Sequence, residues 1–206
     1  MQVRTKSPRR GGRPRKFDEA EALRRMQRQL WTAGLSGTSL DGIARSAGLN
    51  RPSLAAAFGD KDAIYAQAAA QFVTMMETRL SQAIEIADLG KALEAAFDAA
   101  IDVYTTDGPG GCFVICTAPA EALTNPVCRS ILDQALEAID AFFLRRLELE
   151  QQRTMADPAD LPLLAAQLGA ILHSLALRAR AGWSAERLRS LAAGLIGQVL
   201  GEGRRS

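Results

Sequence analysis

Apolar residues recur along this chain at three- and four-residue spacings, the period of helices that bury one face. The first stripe, Ala22, Leu23, Met26, Leu30 and Ala33, predicts a helix that begins after Asp18 as N-cap and ends at Gly34. Thr38 and Ser39 offer an N-cap for a short helix from Leu40 to Ala47, stopped by Gly48. Asn50 can cap a third helix from Arg51 to about Phe58, with Pro52 in the first turn, where amides have no intrahelical partner. Asp60 caps a fourth, much longer helix that reaches the 80s. From there the chain reads as helices with brief breaks near Asp88-Leu89-Gly90, Asp107 to Gly111, Thr124-Asn125-Pro126, Asp157-Pro158 and Gly182-Trp183-Ser184. The pattern predicts about nine helices and no strand, an all-α fold.

Composition agrees. The chain is 48% hydrophobic, but only 5% of it is aromatic, and alanine and leucine dominate over β-branched residues. The longest apolar stretch, Leu163 to Leu177, is expected to be too short for a membrane and carries Gln167, His173 and Ser174. No apolar segment follows the basic N-terminus, so a cytoplasmic protein is expected, and its three cysteines fit a reducing compartment better than a disulfide framework.

Charge changes the picture. The net charge is +2, yet residues 1–16 alone hold Arg4, Lys6, Arg9, Arg10, Arg13, Arg15 and Lys16 and no acid, which leaves the remainder at −5. With Pro8, Gly11, Gly12 and Pro14 among those cations, 1–16 reads as a basic arm that is disordered in isolation and meets a polyanion. Domain limits follow as arm 1–16, helical head 17–60 and helical body 61–206.

The polyanion is suggested by residues 38–58. Leu40, Ile43 and Ala44 form one apolar face, Ala47 and Leu49 pack a turn freed by Gly48, and Leu54 with Phe58 supplies the facing stripe. A helix-turn-helix of this kind presents the start of its second helix to a major groove. Asn50, Arg51 and Ser53 are suited there to phosphates or base edges. Chance helical hairpins share the pattern, but the basic arm one helix upstream favours DNA.

Four segments carry a resemblance: Gly12-Arg-Pro-Arg-Lys-Phe-Asp18, Gly37-Thr-Ser-Leu40, Gly48-Leu-Asn-Arg-Pro-Ser-Leu54 and Phe58-Gly-Asp-Lys-Asp-Ala-Ile64 resemble the tetracycline-repressor (TetR) family. The resemblance implies a three-helix DNA-binding head and a variable C-terminal domain that dimerises and binds an inducer. By position it assigns Thr38, Ser39, Arg51, Ser53 and Lys61 to the operator, mostly its phosphates, beside Asn50 and Pro52 at the same helix start. It sends the arm around Arg13, Arg15 and Lys16 into an adjacent minor groove. One position departs: Ala55 stands where the family usually has a phosphate-binding tyrosine, and alanines 55–57 can meet thymine methyls but cannot hydrogen-bond bases.

In the body, Leu161, Leu164, Leu168, Ile171, Leu172 and Leu175 form one stripe, and Leu188, Leu191, Ala192, Leu195, Ile196, Val199 and Leu200 another. Both serve as core in the plainer view; the resemblance instead implies a homodimer through the last two helices. Gly108-Pro-Gly-Gly-Cys112-Phe-Val-Ile-Cys116 places Cys112 where a helix starts, a position expected to lower a thiol pKa, with Cys116 one turn on. Buried, inert cysteines are the alternative. The Gly-Cys-Phe start and Arg178-Ala-Arg-Ala-Gly182 resemble a TetR subgroup that includes sensors of electrophiles and acrylate-like metabolites. Cys112, Phe113, Cys116 and His173 are therefore the candidate ligand-binding residues for an unidentified small-molecule inducer. A single histidine and a Cys-x3-Cys spacing give no zinc pattern, and no cofactor is expected.

The expectation is thus a non-enzymatic, ligand-responsive repressor that binds a palindromic double-stranded operator as a dimer. Two others stand beside it. An architectural DNA-binding protein would have a compact body without a cavity and bind without regard to sequence. A cysteine-dependent redox protein or enzyme would use Cys112, which has no histidine within sequence reach.

Overall fold

The computed structural model describes residues 17–106, 108–154 and 160–201, and among them it has nine helices and no strand. The arm 1–16 lies outside the described residues. The head comprises α1 (Glu19–Ala33), α2 (Leu40–Ser46) and α3 (Arg51–Phe58); the body comprises α4 (Lys61–Ile84), α5 (Leu89–Thr106), α6 (Phe113–Thr117), α7 (Pro126–Thr154), α8 (Leu161–Arg180) and α9 (Ala185–Val199). The boundaries follow from short polar side chains that accept otherwise orphaned amides. Asp18 accepts from Ala20 and Glu21, Ser39 from Gly42, Asn50 from Ser53 and Asp60 from Ala63. Asp88, Asn125, Asp160 and Ser184 do the same for α5, α7, α8 and α9. Each such cap stabilises its helix by about 1 kcal/mol. Cys112 caps α6 without a side-chain hydrogen bond.

One apolar core runs without interruption from head to body. Its junction is aromatic: Trp31 of α1 meets Phe72 of α4 edge-on at 5.2 Å and Phe113 of α6 at 6.0 Å, and Phe113 lies 5.3 Å from Tyr65. Trp31 was not on the predicted stripe, yet it is buried, whereas Ala33, which was, is exposed. The glycine-rich loop before α6 threads through this junction. A Cβ on Gly108 would lie 2.9 Å from the Trp31 ring, and one on Gly111 would lie 2.5 Å from the Ala176 carbonyl oxygen. Both residues also have positive φ, so close approach and backbone shape together demand glycine there.

In the body, α7 packs on α8, α5 on α4 and α9, and α8 on α9. The 20-residue α8 extends past the stretch read from sequence and, with a mean hydropathy of 1.3 over an 18-residue window, is long and apolar enough to cross a membrane by length and composition alone. That corrects the expectation drawn from its polar residues. Its inner face, Leu168, Leu172, Leu175 and Ala176, is nevertheless buried in the protein core, while Leu163 and Leu177 stand exposed on the opposite face.

Candidate nucleic-acid interface and the cavity behind it

The helix-turn-helix is closed by Ile43, Ala44, Ala47, Leu54 and Phe58, all buried. Gly48 turns the chain with φ +68°, and the Leu49 amide donates back to the Ala44 carbonyl at 2.9 Å. This leaves the start of α3 at the surface, with Asn50, Arg51, Pro52 and Ala55 exposed and Ser53 half-buried. Asn50 Oδ1 is occupied by the Ser53 amide at 2.9 Å, so the group it offers outward is its side-chain NH2. Arg51 makes a two-pronged ion pair with Asp41 of α2, one prong at 2.7 Å. Both side chains are about 60% exposed, which limits the pair to about 0.2–1 kcal/mol; a phosphate can therefore compete for Arg51 at little cost. Asp41, ten residues away, carried no signal in the sequence.

Ser39 is exposed, its hydroxyl accepting from the Gly42 amide at 3.1 Å. Thr38 is different. It is 2% exposed, and its hydroxyl donates to the Gly34 carbonyl at 2.7 Å, so it braces the α1–α2 turn from inside. Ala55 leaves a shallow hollow with Leu40, Arg51, Leu54, Gly59 and Asp60. Lys61 is half-buried as the first residue of α4. Residues 17–60 carry five arginines and five acids, so the head is formally neutral and the cations of a DNA interface are concentrated in the arm. Arg13, Arg15 and Lys16 lie there, outside the described residues.

Side-chain hydrogen bonds tie head to body; Gln67 at the start of the body donates to the Phe58 carbonyl at 2.9 Å, and others join segments far apart in sequence. The Ser36 amide and hydroxyl donate to the Glu121 carboxylate at 2.9 and 2.7 Å, Arg180 donates to the Thr32 carbonyl at 3.2 Å, and Gln27 donates to the Ala68 carbonyl at 2.6 Å. The Ser36 hydrogen bonds, with Lys61 nearby, hold the Glu121 carboxyl below its usual range.

Behind the junction lies a cavity of about 90 Å³ between α4, α5, α6, α7 and α8. Phe72, Met76, Tyr104, Cys112, Phe142 and His173 are in its wall. The fold thus brings Cys112 and His173, 61 positions apart in the numbering, to one site. Phe113 and Cys116 are elsewhere: Phe113 is fully buried in the aromatic junction, and the Cys116 thiol points at the Ala176 carbonyl, 4.0 Å away. Among the described residues, His173 Nε2 is buried without a protein partner. Burial pushes the His173 pKa down, with Asp140 opposing, so the imidazole is neutral near pH 7.

Residues 27–68, from the middle of α1 into α4, match the family model of bacterial regulatory proteins of the tetR family. That match is confined to the head and the first turns of α4. It is also 27% identical over 189 residues, 88% of each chain, to the HTH-type transcriptional repressor ComR of Escherichia coli strain K12. Among solved structures it resembles a cysteine mutant of the TetR family regulator CifR in complex with a 26-base-pair operator, with a TM-score of 0.81 and 24% identity over 89% of this chain and 97% of that one. AibR in complex with isovaleryl coenzyme A and operator DNA gives a TM-score of 0.65 and 17% identity, covering 84% and 95% of the two chains. These structures share the fold of this chain, head and helical body alike.

The cysteine chemistry behind the head departs from expectation. The position of Cys112 at the start of α6 predicted a lowered thiol pKa; burial instead pushes it up to about 12, outweighing the backbone amides of α6. The α6 segment is only five residues long, so its dipole is short, and the apolar wall decides. Burial likewise raises Cys116, against the pull of Arg180, and Cys128, to about 11. Cys112 and His173 share a wall but do not form a thiolate–imidazolium pair, since such a pair would drive the two pKa values the opposite way.

Proposed function

We propose that this protein is a ligand-responsive transcriptional repressor that binds a near-palindromic operator as a homodimer and releases it when a small molecule occupies the cavity. The observation that carries the reading is the tie between the two sites. The cavity wall continues through α6 into the segment whose Glu121 holds Ser36, at the turn between α1 and the helix-turn-helix. Occupancy that shifts α4 or α6 changes how the head sits on the body. A ligand works there only through unequal affinity for the two arrangements.

Ser39, Asn50, Arg51, Ser53 and Lys61 are the operator-facing residues of this reading, with the arm around Arg13, Arg15 and Lys16 in the adjacent minor groove. Thr38 supports them from within. Dimerisation is supported by the outer faces of α8 and α9. Leu163 and Leu177 are exposed on α8, and Trp183, Leu191, Gly194 and Leu195 line an open groove on α9. A second copy covering both faces would bury this apolar surface and set two reading helices at a fixed spacing. The cytoplasm is where such a regulator meets its DNA.

The cavity speaks against an architectural protein, and the burial that raises the Cys112 thiol pKa speaks against a cysteine-dependent enzyme. The test is binding of the purified protein to the DNA flanking its own gene, titrated with salt and against scrambled competitor. Saturable, sequence-dependent binding by a dimer is the expected outcome. Weak binding indifferent to sequence would return the architectural reading.

A further inference from the structure

We infer that the cavity takes a small, uncharged, mostly apolar molecule of about six non-hydrogen atoms whose single polar group hydrogen-bonds His173 Nε2. This rests on the ligand-responsive reading for its biological role, but not for its chemistry.

Size comes first. An engineered cavity of about 150 Å³ with aliphatic and aromatic walls holds benzene, so about 90 Å³ sets an upper limit near that ligand. A coenzyme A thioester does not fit within this volume. Polarity comes next. The walls are aromatic and aliphatic side chains with few polar atoms, and the histidine nitrogen is the one buried wall atom left without a protein partner among the described residues. An apolar ligand would leave that nitrogen unsatisfied, at a cost that one hydrogen bond removes. A neutral imidazole donates from one nitrogen and accepts at the other, so a hydroxyl, carbonyl or amide can serve.

Charge decides the class. Among the described residues the wall contains no lysine or arginine; its one carboxylate, Glu77, is exposed, and Asp140 is the charge that acts on His173 from α7. Both charges are negative, so a carboxylate ligand would be buried without a counter-ion and beside repulsion. An ammonium would leave water for apolar walls; Glu77 is solvated and Asp140 is not in the wall, so neither carboxylate offsets its desolvation. An uncharged alcohol, ketone or amide meets neither cost.

His173 is the only histidine in the chain, so its ring nitrogens report on the cavity without any mutation. In the tag-free, full-length protein labelled with 15N-histidine, cyclopentanol is expected to move the imidazole nitrogen signals saturably, with a Kd on the order of 1 mM. Cyclopentanecarboxylate and cyclopentylammonium are expected to bind at least tenfold more weakly. His173→Leu, checked for folding by its thermal transition, should weaken cyclopentanol at least tenfold by calorimetry, and His173→Gln should recover part of the loss. Imidazole signals that ignore cyclopentanol, or that answer either ion as strongly, overturn the assignment. Operator binding measured in the same samples separates the two readings. Cyclopentanol that fills the cavity while no cavity ligand alters operator affinity upholds the ligand class and overturns the inducer role. An operator response to other molecules with no cyclopentanol binding does the reverse.

Discussion

The head and the body use their polar groups in opposite ways. In the head, Ser39 and Asn50 spend one polar atom each on capping a helix and stay exposed, ready for a partner that arrives from solvent. In the body, Tyr65 and Thr117 satisfy each other at 2.7 Å inside the core, while His173 Nε2 and Gln71 Oε1 are buried without a protein partner among the described residues. A surface that reads DNA is built from locally anchored, solvated groups, and its affinity is tuned by salt and charge. A site that reads a small molecule is built from desolvated groups, and its selectivity comes from what would be left unpaired. The aromatic junction of Trp31, Tyr65, Phe72 and Phe113 packs these two regions together, and a shared core of this kind is expected to melt as one unit.

The largest expected effect tests that unity. Phe113 is fully buried against Trp31, Tyr65 and Phe72, so Phe113→Ala should cost about 3–5 kcal/mol and lower the melting temperature by roughly 10 °C. Calorimetry should show one transition, shifted as a whole. A head that melts at its original temperature while the body melts early would divide the molecule at the junction.

The second effect is electrostatic. Because the head is formally neutral and the arm holds seven cations, removing residues 1–16 should weaken operator binding by on the order of 100-fold at physiological salt. The slope of log affinity against log salt should shrink by about 0.9 for each arm cation that reaches a phosphate. Circular dichroism should show unchanged helicity over the remainder. An unaltered salt slope would place the phosphate contacts on the head instead and erase the contrast between them.

How much of this was legible differs between the two regions for the same physical reason. Helix limits in the head were readable because Asp18, Ser39, Asn50 and Asp60 act on amides two or three residues away. Local order also gave the turn at Gly48 and the exposed start of α3. Whatever depends on distant segments was not readable: the Asp41–Arg51 pair, the inward turn of Thr38, the burial of Trp31 and the hold of Glu121 on Ser36. The lowered thiol pKa expected for Cys112 failed on the same point. The local helix start was foreseen; the apolar wall that outweighs it comes from four other helices. Periodicity also could not show that Cys112 and His173 share a cavity while Cys116 and Phe113 do not.

A third prediction concerns the tie between the regions. Glu121→Ala removes the acceptor for both Ser36 donors, so amide exchange around residues 34–38 should quicken and any ligand effect on operator affinity should fall several-fold. Because the Glu121 pKa is lowered in the folded protein, the tie is fully present above the usual carboxylate range. It is lost as pH falls through the depressed value. Glu121→Gln should flatten that acid dependence of Ser36 exchange. An exchange profile that Glu121→Ala leaves alone would mean that the aromatic junction alone holds the head.

The smallest effect is a gain. Ala55 sits exposed beside Arg51 and the hollow formed with Leu40, Leu54, Gly59 and Asp60, where the TetR resemblance expects a tyrosine on a phosphate. Ala55→Tyr should place a ring over that hollow and a hydroxyl within reach of the DNA backbone. One hydrogen bond to a charged oxygen contributes about 1.5 kcal/mol, and the lower helix propensity of tyrosine subtracts about 0.5. The net is roughly a fivefold tightening. Because the hydroxyl is neutral, the salt slope should not change, and because a phosphate carries no sequence, operator and scrambled DNA should tighten alike. A gain confined to the operator would instead assign position 55 to the bases, and the three alanines 55–57 would then be part of the sequence code that the head reads through thymine methyls.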